Sequence, residues 1–216
     1  MYKPKFQFRP NTTGLIINKP TIDLTKVRNQ IVQIPTFKRK LLYLYKQFYK
    51  LCDFQYHEQH DNINKYQTLL RRNFSHISFN NRRNVILSTT EDLNEKELVE
   101  RMLNTLAFVF NATVARDDPH IFDEIHNHDD LKKTNIENME ANILNTILRM
   151  DSTKPDVIKY DFQYNWWGRF RNDVKKVQDW EKVTRKQLRS MNLEWMTFYQ
   201  HETTVMRLNE NLKLCL

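Results

Sequence analysis

The sequence predicts an all-α protein, and two observations carry that prediction. Only two of the 216 residues are glycine, Gly14 and Gly168, so tight hairpin turns, which need residues with positive φ, are hard to build. Apolar side chains recur at intervals of three and four along most of the chain, which is the period of an amphipathic helix. We therefore expect an irregular helical bundle, preceded by an N-terminal arm that is extended or disordered.

The predicted arm covers residues 1–35. Four of its six cations precede Asp23 and lie among prolines, and no acidic residue precedes Asp23; these four cations are Lys3, Lys5, Arg9 and Lys19. This basic, acid-poor composition is typical of mitochondrial targeting segments, but the prolines oppose the amphipathic helix that such a segment forms. The alternative is an arm that packs along the helices through its apolar residues, Leu15, Ile16 and Ile17.

Residues 36–216 are predicted to form a single helical domain. It has three parts: helices within about 36–90, an acidic middle at 91–161, and basic, aromatic helices at 162–216. The first helix begins after Thr36, a plausible N-cap, and its apolar face contains Leu41, Leu44, Tyr45, Phe48, Leu51 and Cys52. A second helix is expected at about 58–73, and a short basic one near 82–87.

Later helices are predicted from capping and apolar patterns. Asn94 with Glu97 matches a capping box, as does Thr134 with Glu137. Apolar stripes follow at Leu98, Met102, Leu106, Val109 and Phe110, and at Met139, Ile143, Ile147 and Met150. Trp166, Trp167 and Phe170 are predicted to pack in the core, with cations outside. Because glycine is scarce, helices are expected to end at Asn, at Pro or by fraying.

Charge is distributed unevenly along the chain. The formal net charge is +8, but it is +12 over residues 1–90, −8 over 91–161 and +4 over 162–216. Such a basic excess predicts a surface that meets a polyanion, an acidic protein or an anionic membrane, although many basic faces serve only for solubility. Nucleic-acid binding is therefore one alternative.

The same inventory argues against an enzyme. Phosphate-binding loops, dinucleotide fingerprints and nucleophile elbows all need glycine, and no carboxylate pair lies in an apolar setting. The acidic, His-rich segment at 116–133 and the pair His57 and His60 are weak metal candidates that loop roles explain more simply. We predict no catalytic, cofactor or metal residues. Only Cys52 and Cys215 are present, which fits a reducing compartment, and no run is apolar for long enough to span a membrane.

The stretch from Leu44 to Phe74 resembles the LYR-type adaptors of mitochondria, with Lys46 where arginine is expected. Those adaptors are three-helix proteins that bind acyl carrier protein through basic residues, taking its acyl chain between their helices. The resemblance implies partner-binding roles for six residues: Tyr45, Lys46, Lys50, Arg71, Arg72 and Phe74. The four cations would contact the acidic partner, and the two aromatics would line or close the core.

Nearly the whole chain resembles the budding-yeast family called increased recombination centers protein nineteen, also named required for respiratory growth. Features that carry the resemblance, in order, are Lys3 and Pro4, the helix at 44–51, Tyr66 with Arg71, Arg72 and Phe74, the stripe at 103–110, and Thr203, Thr204, Leu208, Asn209 and Glu210. The resemblance implies a role in sporulation, mitochondrial DNA maintenance and genome integrity, without known chemistry.

Together these observations predict a non-enzymatic protein that acts through protein partners. Its expected location is the mitochondrial matrix, with the nucleus or cytoplasm as alternatives. Two alternative functions stay open at this point: a LYR-type adaptor that binds acyl carrier protein, and a protein that binds nucleic acid directly.

Overall fold

The computed structural model describes residues 22–52, 61–75, 79–113, 139–168, 170 and 193–216. Its helices are α1 Leu24–Gln33, α2 Phe37–Lys50, α3 Asp61–Ser75, α4 Phe79–Leu87, α5 Glu95–Thr113, α6 Met139–Thr153, α7 Asp156–Lys159 and α8 Leu193–Leu212. Residues 165–168 and 170 are also helical, and none of the residues in these ranges lies in a strand. The all-α prediction is confirmed.

Contacts group the described residues into two compact units. Unit 1 lies within Met1–Arg71 and Leu106–Leu148, and unit 2 lies within Arg72–Thr105 and Arg149–Leu216. Helices α3, α5 and α6 each contribute residues to both units.

Within the part of the chain that the structure describes, no helix is both long enough and apolar enough to cross a membrane.

Unit 1 is built on the apolar face of α2. Leu41, Leu44 and Phe48 are buried, as are Leu51 and Cys52 directly after the helix, as the period of three and four predicts. Tyr66 of α3 is also buried, and its hydroxyl donates to the main-chain oxygen of Phe48 at 3.2 Å. This bond satisfies a polar group inside the core and fixes α3 against α2.

The last part of the predicted arm is helical. Helix α1 buries Val27 and Ile31, and the Asp23 carboxylate caps it by accepting from the main-chain nitrogen of Lys26 at 3.0 Å. The hydroxyl of Tyr43 in α2 donates to the side-chain oxygen of Gln30, which connects α1 with α2. Residues 1–21, which carry most of the arm prediction, lie outside the described residues.

Unit 2 has an aromatic core. Ile158, Trp166, Trp167, Phe170 and Phe198 form one buried cluster, so the predicted core packing of the tryptophans is confirmed. The ring of Trp167 stacks on that of Tyr199 in α8, with centroids 4.0 Å apart. The Asp161 carboxylate accepts from the main-chain nitrogen of Trp166 at 3.0 Å and so caps the helical stretch that begins at residue 165.

The segment after α8 folds back onto unit 2. Lys213 has a φ of 54°, and the nitrogen of Leu214 then donates to the oxygen of Asn209 at 2.9 Å. The buried side chain of Asn209 accepts from the nitrogen of Leu216 at 2.9 Å and donates to its oxygen at 3.1 Å. The nitrogen of Cys215 donates to the hydroxyl of Thr105 at 2.7 Å. Residues 213–216 are therefore held by hydrogen bonds and by the burial of Leu214 and Leu216.

Some local predictions were wrong. Helices α4 and α8 are followed by Ser88 and Lys213, with φ of 58° and 54°, although only glycine or asparagine takes this conformation without appreciable strain. The tail bonds described above hold Lys213 in place.

Met139, predicted on a core stripe, is 71 % exposed, because the buried face of α6 runs instead through Leu144, Ile147 and Leu148. The cap of α5 was predicted correctly: Asn94 accepts from the nitrogen of Glu97 at 2.8 Å.

Truncation of Leu44 should destabilise unit 1. The side chain is fully buried, so Leu44→Ala should lower the free energy of unfolding by about 2–5 kcal/mol. Leu42, two residues away on the same helix, is 55 % exposed, and Leu42→Ala should change it by less than about 0.5 kcal/mol. Urea denaturation followed by circular dichroism measures both; equal losses would contradict the assigned face of α2.

Candidate functional site

The six residues predicted to bind a partner lie on α2 and α3. Lys46, Lys50 and Arg71 are exposed, whereas Tyr45, Arg72 and Phe74 are partly buried. Lys46 and Lys50 lie one helical turn apart, so they share one face of α2. The Tyr45 ring lies 6.0 Å from that of Tyr49. Tyr45, Lys46, Lys50 and Arg71 belong to unit 1, and Arg72 and Phe74 belong to unit 2. Whether these residues bind a partner stays a prediction.

Arg72 differs from the other three cations because it has an internal partner. The resemblance implies a contact with an acidic partner for Arg72, but its guanidinium forms an ion pair with Asp151 in which both side chains are about nine-tenths buried. Lys154 lies 3.9 Å from the same carboxylate. Arg72 is thus a structural cation of unit 2. A change at Arg72 would leave the buried Asp151 carboxylate without its main partner.

Glu202 of α8 lies at the centre of a second buried ion-pair group. Its carboxylate accepts from Nε of Arg82 at 3.0 Å and also pairs with Lys154. Burial raises the pKa of this carboxyl, but the positive charges of Arg82 and Lys154 outweigh burial and lower its pKa to about 2. Arg82 also donates from Nη1 to the main-chain oxygen of Leu216 at 2.6 Å. One arginine therefore joins α4, α8 and the final residues.

Glu210, two turns further along α8, binds two arginines. Arg101 of α5 donates to both carboxylate oxygens, at 2.7 and 3.2 Å, and Arg83 of α4 donates from Nε at 2.9 Å. Burial opposes ionisation of Glu210, but the hydrogen bonds from Arg101 and Arg83 lower its pKa to about 2. Bidentate pairing of this kind fixes orientation as well as charge.

The cations of α1 and α2, unlike the buried arginines described above, are mostly exposed and have few acidic partners. Residues 24–50 contain seven Lys or Arg and no Asp or Glu: Lys26, Arg28, Lys38, Arg39, Lys40, Lys46 and Lys50. All are exposed except Lys40, which is half-buried. Among the described residues the only ion pair that involves any of them joins Lys26 to Asp23 at 3.3 Å. We call residues 24–50 the basic segment. Its charges are available to a partner, whereas Arg82 and Arg83 of α4 and Arg101 of α5 have internal acidic partners.

The described side chains include no reactive thiol. Burial raises the pKa of Cys215 to about 12 despite the nearby charges of Arg101 and Arg82, so the thiol stays protonated at neutral pH. Cys52 is buried. The metal candidates at 116–133 and at His57 and His60 lie outside the described residues. Among the residues that the structure does describe, no three His, Cys, Asp or Glu side chains are grouped so as to hold a metal ion.

Sequence reasoning missed the acidic partners of the buried arginines. Asp151 lies 79 positions from Arg72, and Glu202 lies 120 positions from Arg82, so no local spacing connects them. The sequence contains only a weak signal for these ion pairs. Arg82 and Arg83 are adjacent, and Glu202 and Glu210 lie eight residues apart, on the same face of a helix. Asn209, which is completely buried, had appeared only as part of a family resemblance.

The chain was compared with protein families, curated proteins and solved structures. The family model described as increased recombination centres protein 19 matches residues 11–216. No curated protein and no solved structure matches. The family match covers the whole basic segment, both buried ion-pair groups and the tail after α8.

Acid should weaken unit 2 through Glu202. The folded-state pKa of about 2 lies below the ordinary 4.5, so this group stabilises the fold above its unfolded pKa, and that stability is lost as pH falls from about 5 towards 2. Glu202→Gln should lower the free energy of unfolding at neutral pH by about 3–5 kcal/mol, and its difference from wild type should shrink in acid. Urea unfolding over this pH range measures it. The exposed Glu100 of α5 provides the control: Glu100→Gln should leave the pH profile unchanged.

The adjacent arginines of α3 should respond differently to the same change. Arg72→Ala leaves the buried Asp151 unpaired and should lower the free energy of unfolding by about 3–5 kcal/mol, whereas Arg71→Ala at an exposed position should change it by less than about 0.5 kcal/mol. Thermal and urea denaturation of the two variants test this directly. Equal stabilities would mean that the pair between Arg72 and Asp151 contributes nothing in solution.

Proposed function

The chain belongs to the family of increased recombination centres protein 19, and from that premise we propose that it is a non-enzymatic accessory protein of genome maintenance. The proposed site of action is the mitochondrial matrix, where the protein maintains mitochondrial DNA through protein partners and thereby supports sporulation. The family match along residues 11–216 carries this proposal. The name of the family connects its members with recombination.

The arrangement of charge supports a binding role. In unit 2, Arg72, Arg82 and Arg101 form structural ion pairs at low exposure, which is an arrangement that orders a fold. In unit 1 the basic segment leaves its cations exposed. A helical body with an accessible charged surface is suited to recruit a partner by complementary charge.

The proposal predicts an ordered set of defects in cells that lose the protein. Mitochondrial DNA copy number should fall first, respiration should then fail, and sporulation should fail with it, while recombination centres should increase. Rapid depletion of the tagged chain, with DNA copy number, oxygen consumption and centres followed over time, distinguishes cause from consequence. If respiration fails while mitochondrial DNA is still at its normal level, the role lies in respiratory assembly and not in the genome.

That contrary outcome would favour the second candidate, a LYR-type adaptor that binds acyl carrier protein. The observation in its favour is that Lys46, Lys50 and Arg71 are all exposed, as electrostatic contacts with an acidic partner require. The structure also determines which variant tests it: Lys46→Glu with Arg71→Glu reverses exposed charges only, whereas reversal at Arg72 would disrupt a buried ion pair. Acyl carrier protein that co-purifies with wild type and is lost from this double variant would establish the adaptor. Retention in the folded double variant would contradict it.

A further inference from the structure

The basic segment has the composition of a nucleic-acid surface. Its described helices carry seven cations and no acid over 27 residues, and α1 adds exposed neutral donors at Thr25, Asn29, Gln30 and Gln33. Lys, Arg, Asn, Gln and Thr side chains are those that proteins use against phosphate and sugar oxygens. An acidic residue within the segment would repel phosphates, and none is present.

Pairing within the protein does not neutralise these charges. Lys26 is paired with Asp23 at an exposed position, and Lys50 donates to Gln47 at 3.0 Å, which leaves its charge in place. In the described part of the chain, Lys38, Arg39 and Lys46 form no ion pair. Arg72, Arg82, Arg83 and Arg101 all have acidic partners. The exposed cations of the basic segment are thus not offset by any acid within it.

The spacing of the cations fits a phosphate backbone. Arg39 and Lys50 lie eleven residues apart on one continuous helix, which corresponds to about 16 Å at 1.5 Å per residue. That length matches about five base pairs of duplex DNA at 3.4 Å each. Arg39, Lys46 and Lys50 recur at intervals of seven and four, which keeps them on one side of α2. Several phosphates of one strand can therefore be contacted together.

The other exposed side chains decide between nucleic acid and an acidic protein. Protein interfaces are built around an apolar or aromatic centre and are depleted in lysine. Here the basic segment has three large exposed apolar residues, Val32, Leu42 and Tyr49, against six exposed cations, and a few exposed apolar residues are ordinary on a protein surface. Interfaces with nucleic acid are more polar and much more positive than interfaces between proteins.

We propose that the exposed cations of the basic segment, Lys38, Arg39 and Lys46 foremost, bind the phosphate backbone of nucleic acid without reading its sequence. This inference rests on the proposed role in genome maintenance and adds to it a direct contact with DNA. Since phosphate contacts carry no base information, affinity should depend on salt and hardly on sequence. Contact with four phosphates gives a slope of about −3.6 for log affinity against log salt on duplex DNA.

Two matched variants of the full-length chain test the assignment. The first combines Lys38→Gln, Arg39→Gln and Lys46→Gln. The second combines Lys96→Gln, Arg149→Gln and Arg207→Gln, which neutralises three exposed cations outside the segment and changes the net charge equally. Fluorescence anisotropy with two labelled 30-base-pair duplexes of unrelated sequence measures affinity from about 50 to 200 mM salt, the range over which phosphate contacts weaken strongly.

The expected result is that the first variant binds both duplexes at least about tenfold more weakly at low salt and that its salt slope is smaller by about two to three, since each lost phosphate contact removes about one. The control variant should bind as wild type does. Equal weakening in both variants would reduce the effect to net charge, and binding to poly-glutamate but not to DNA would assign the surface to an acidic protein; either overturns the proposal. Circular dichroism of both variants establishes that they are folded.

Depletion of the protein in cells, followed by expression of each variant, distinguishes failure of this inference from failure of the proposed function. If depletion causes loss of mitochondrial DNA and the first variant restores it fully, the role in genome maintenance stands and the nucleic-acid surface is wrong. If depletion leaves the DNA intact while purified protein binds it as described, the surface stands and the cellular role is wrong. Restoration by the control variant alone supports both.

Discussion

A carboxylate buried as deeply as that of Glu202 requires cations around it, because removal from water disfavours its ionised form. Arg82 and Lys154 provide them, and Arg82 uses its remaining nitrogen on the main-chain oxygen of Leu216. Through this one carboxylate, α4, the end of α6, α8 and the final residues are fixed together. The arrangement is cooperative, since removal of any member leaves a charged or polar group buried without its partner.

The aromatic cluster of unit 2 and its ion pairs depend on each other. Trp166, Trp167 and Phe170 exclude water from one side of α8, and lower polarity strengthens the attraction between the nearby charges. Tyr164 lies between the two groups: its ring is 6.5 Å from that of Trp166, while burial raises its pKa and the positive charge of Arg82 opposes that rise. Its φ of 57° is unusual for a bulky residue. The surrounding contacts hold the backbone in this conformation.

The sequence predicted the features that depend on local periodicity. The buried face of α2, the cap at Asn94 and the burial of Trp166 follow from spacing or from a three-residue motif, so a single helix contains all the necessary information. The pairs between Arg72 and Asp151 and between Arg82 and Glu202 connect distant segments, and helical periodicity says only that each arginine is polar. Periodicity also predicted a buried residue that is exposed. Met139 fits an apolar stripe of α6, but it is the first residue of that helix and lies in solvent. The six candidate partner-binding residues were predicted from resemblance and charge, and the fold shows the exposure of each and the ion pair of Arg72.

The separation between internal and exposed cations matters more for function than the net charge of +8. A paired guanidinium orders its own fold and presents little charge to a ligand, whereas an unpaired lysine attracts any nearby polyanion. Phosphate contacts alone give weak, nonspecific affinities, with dissociation constants of about 10⁻⁴ to 10⁻⁶ M at physiological salt. Such a surface cannot select one position on a genome. A protein partner that already occupies the DNA would raise the local concentration of the basic segment and make weak contacts effective. In the proposed function, protein partners and direct DNA contact are therefore complementary parts of one binding mode, in which the partner would supply location and the basic segment would supply retention.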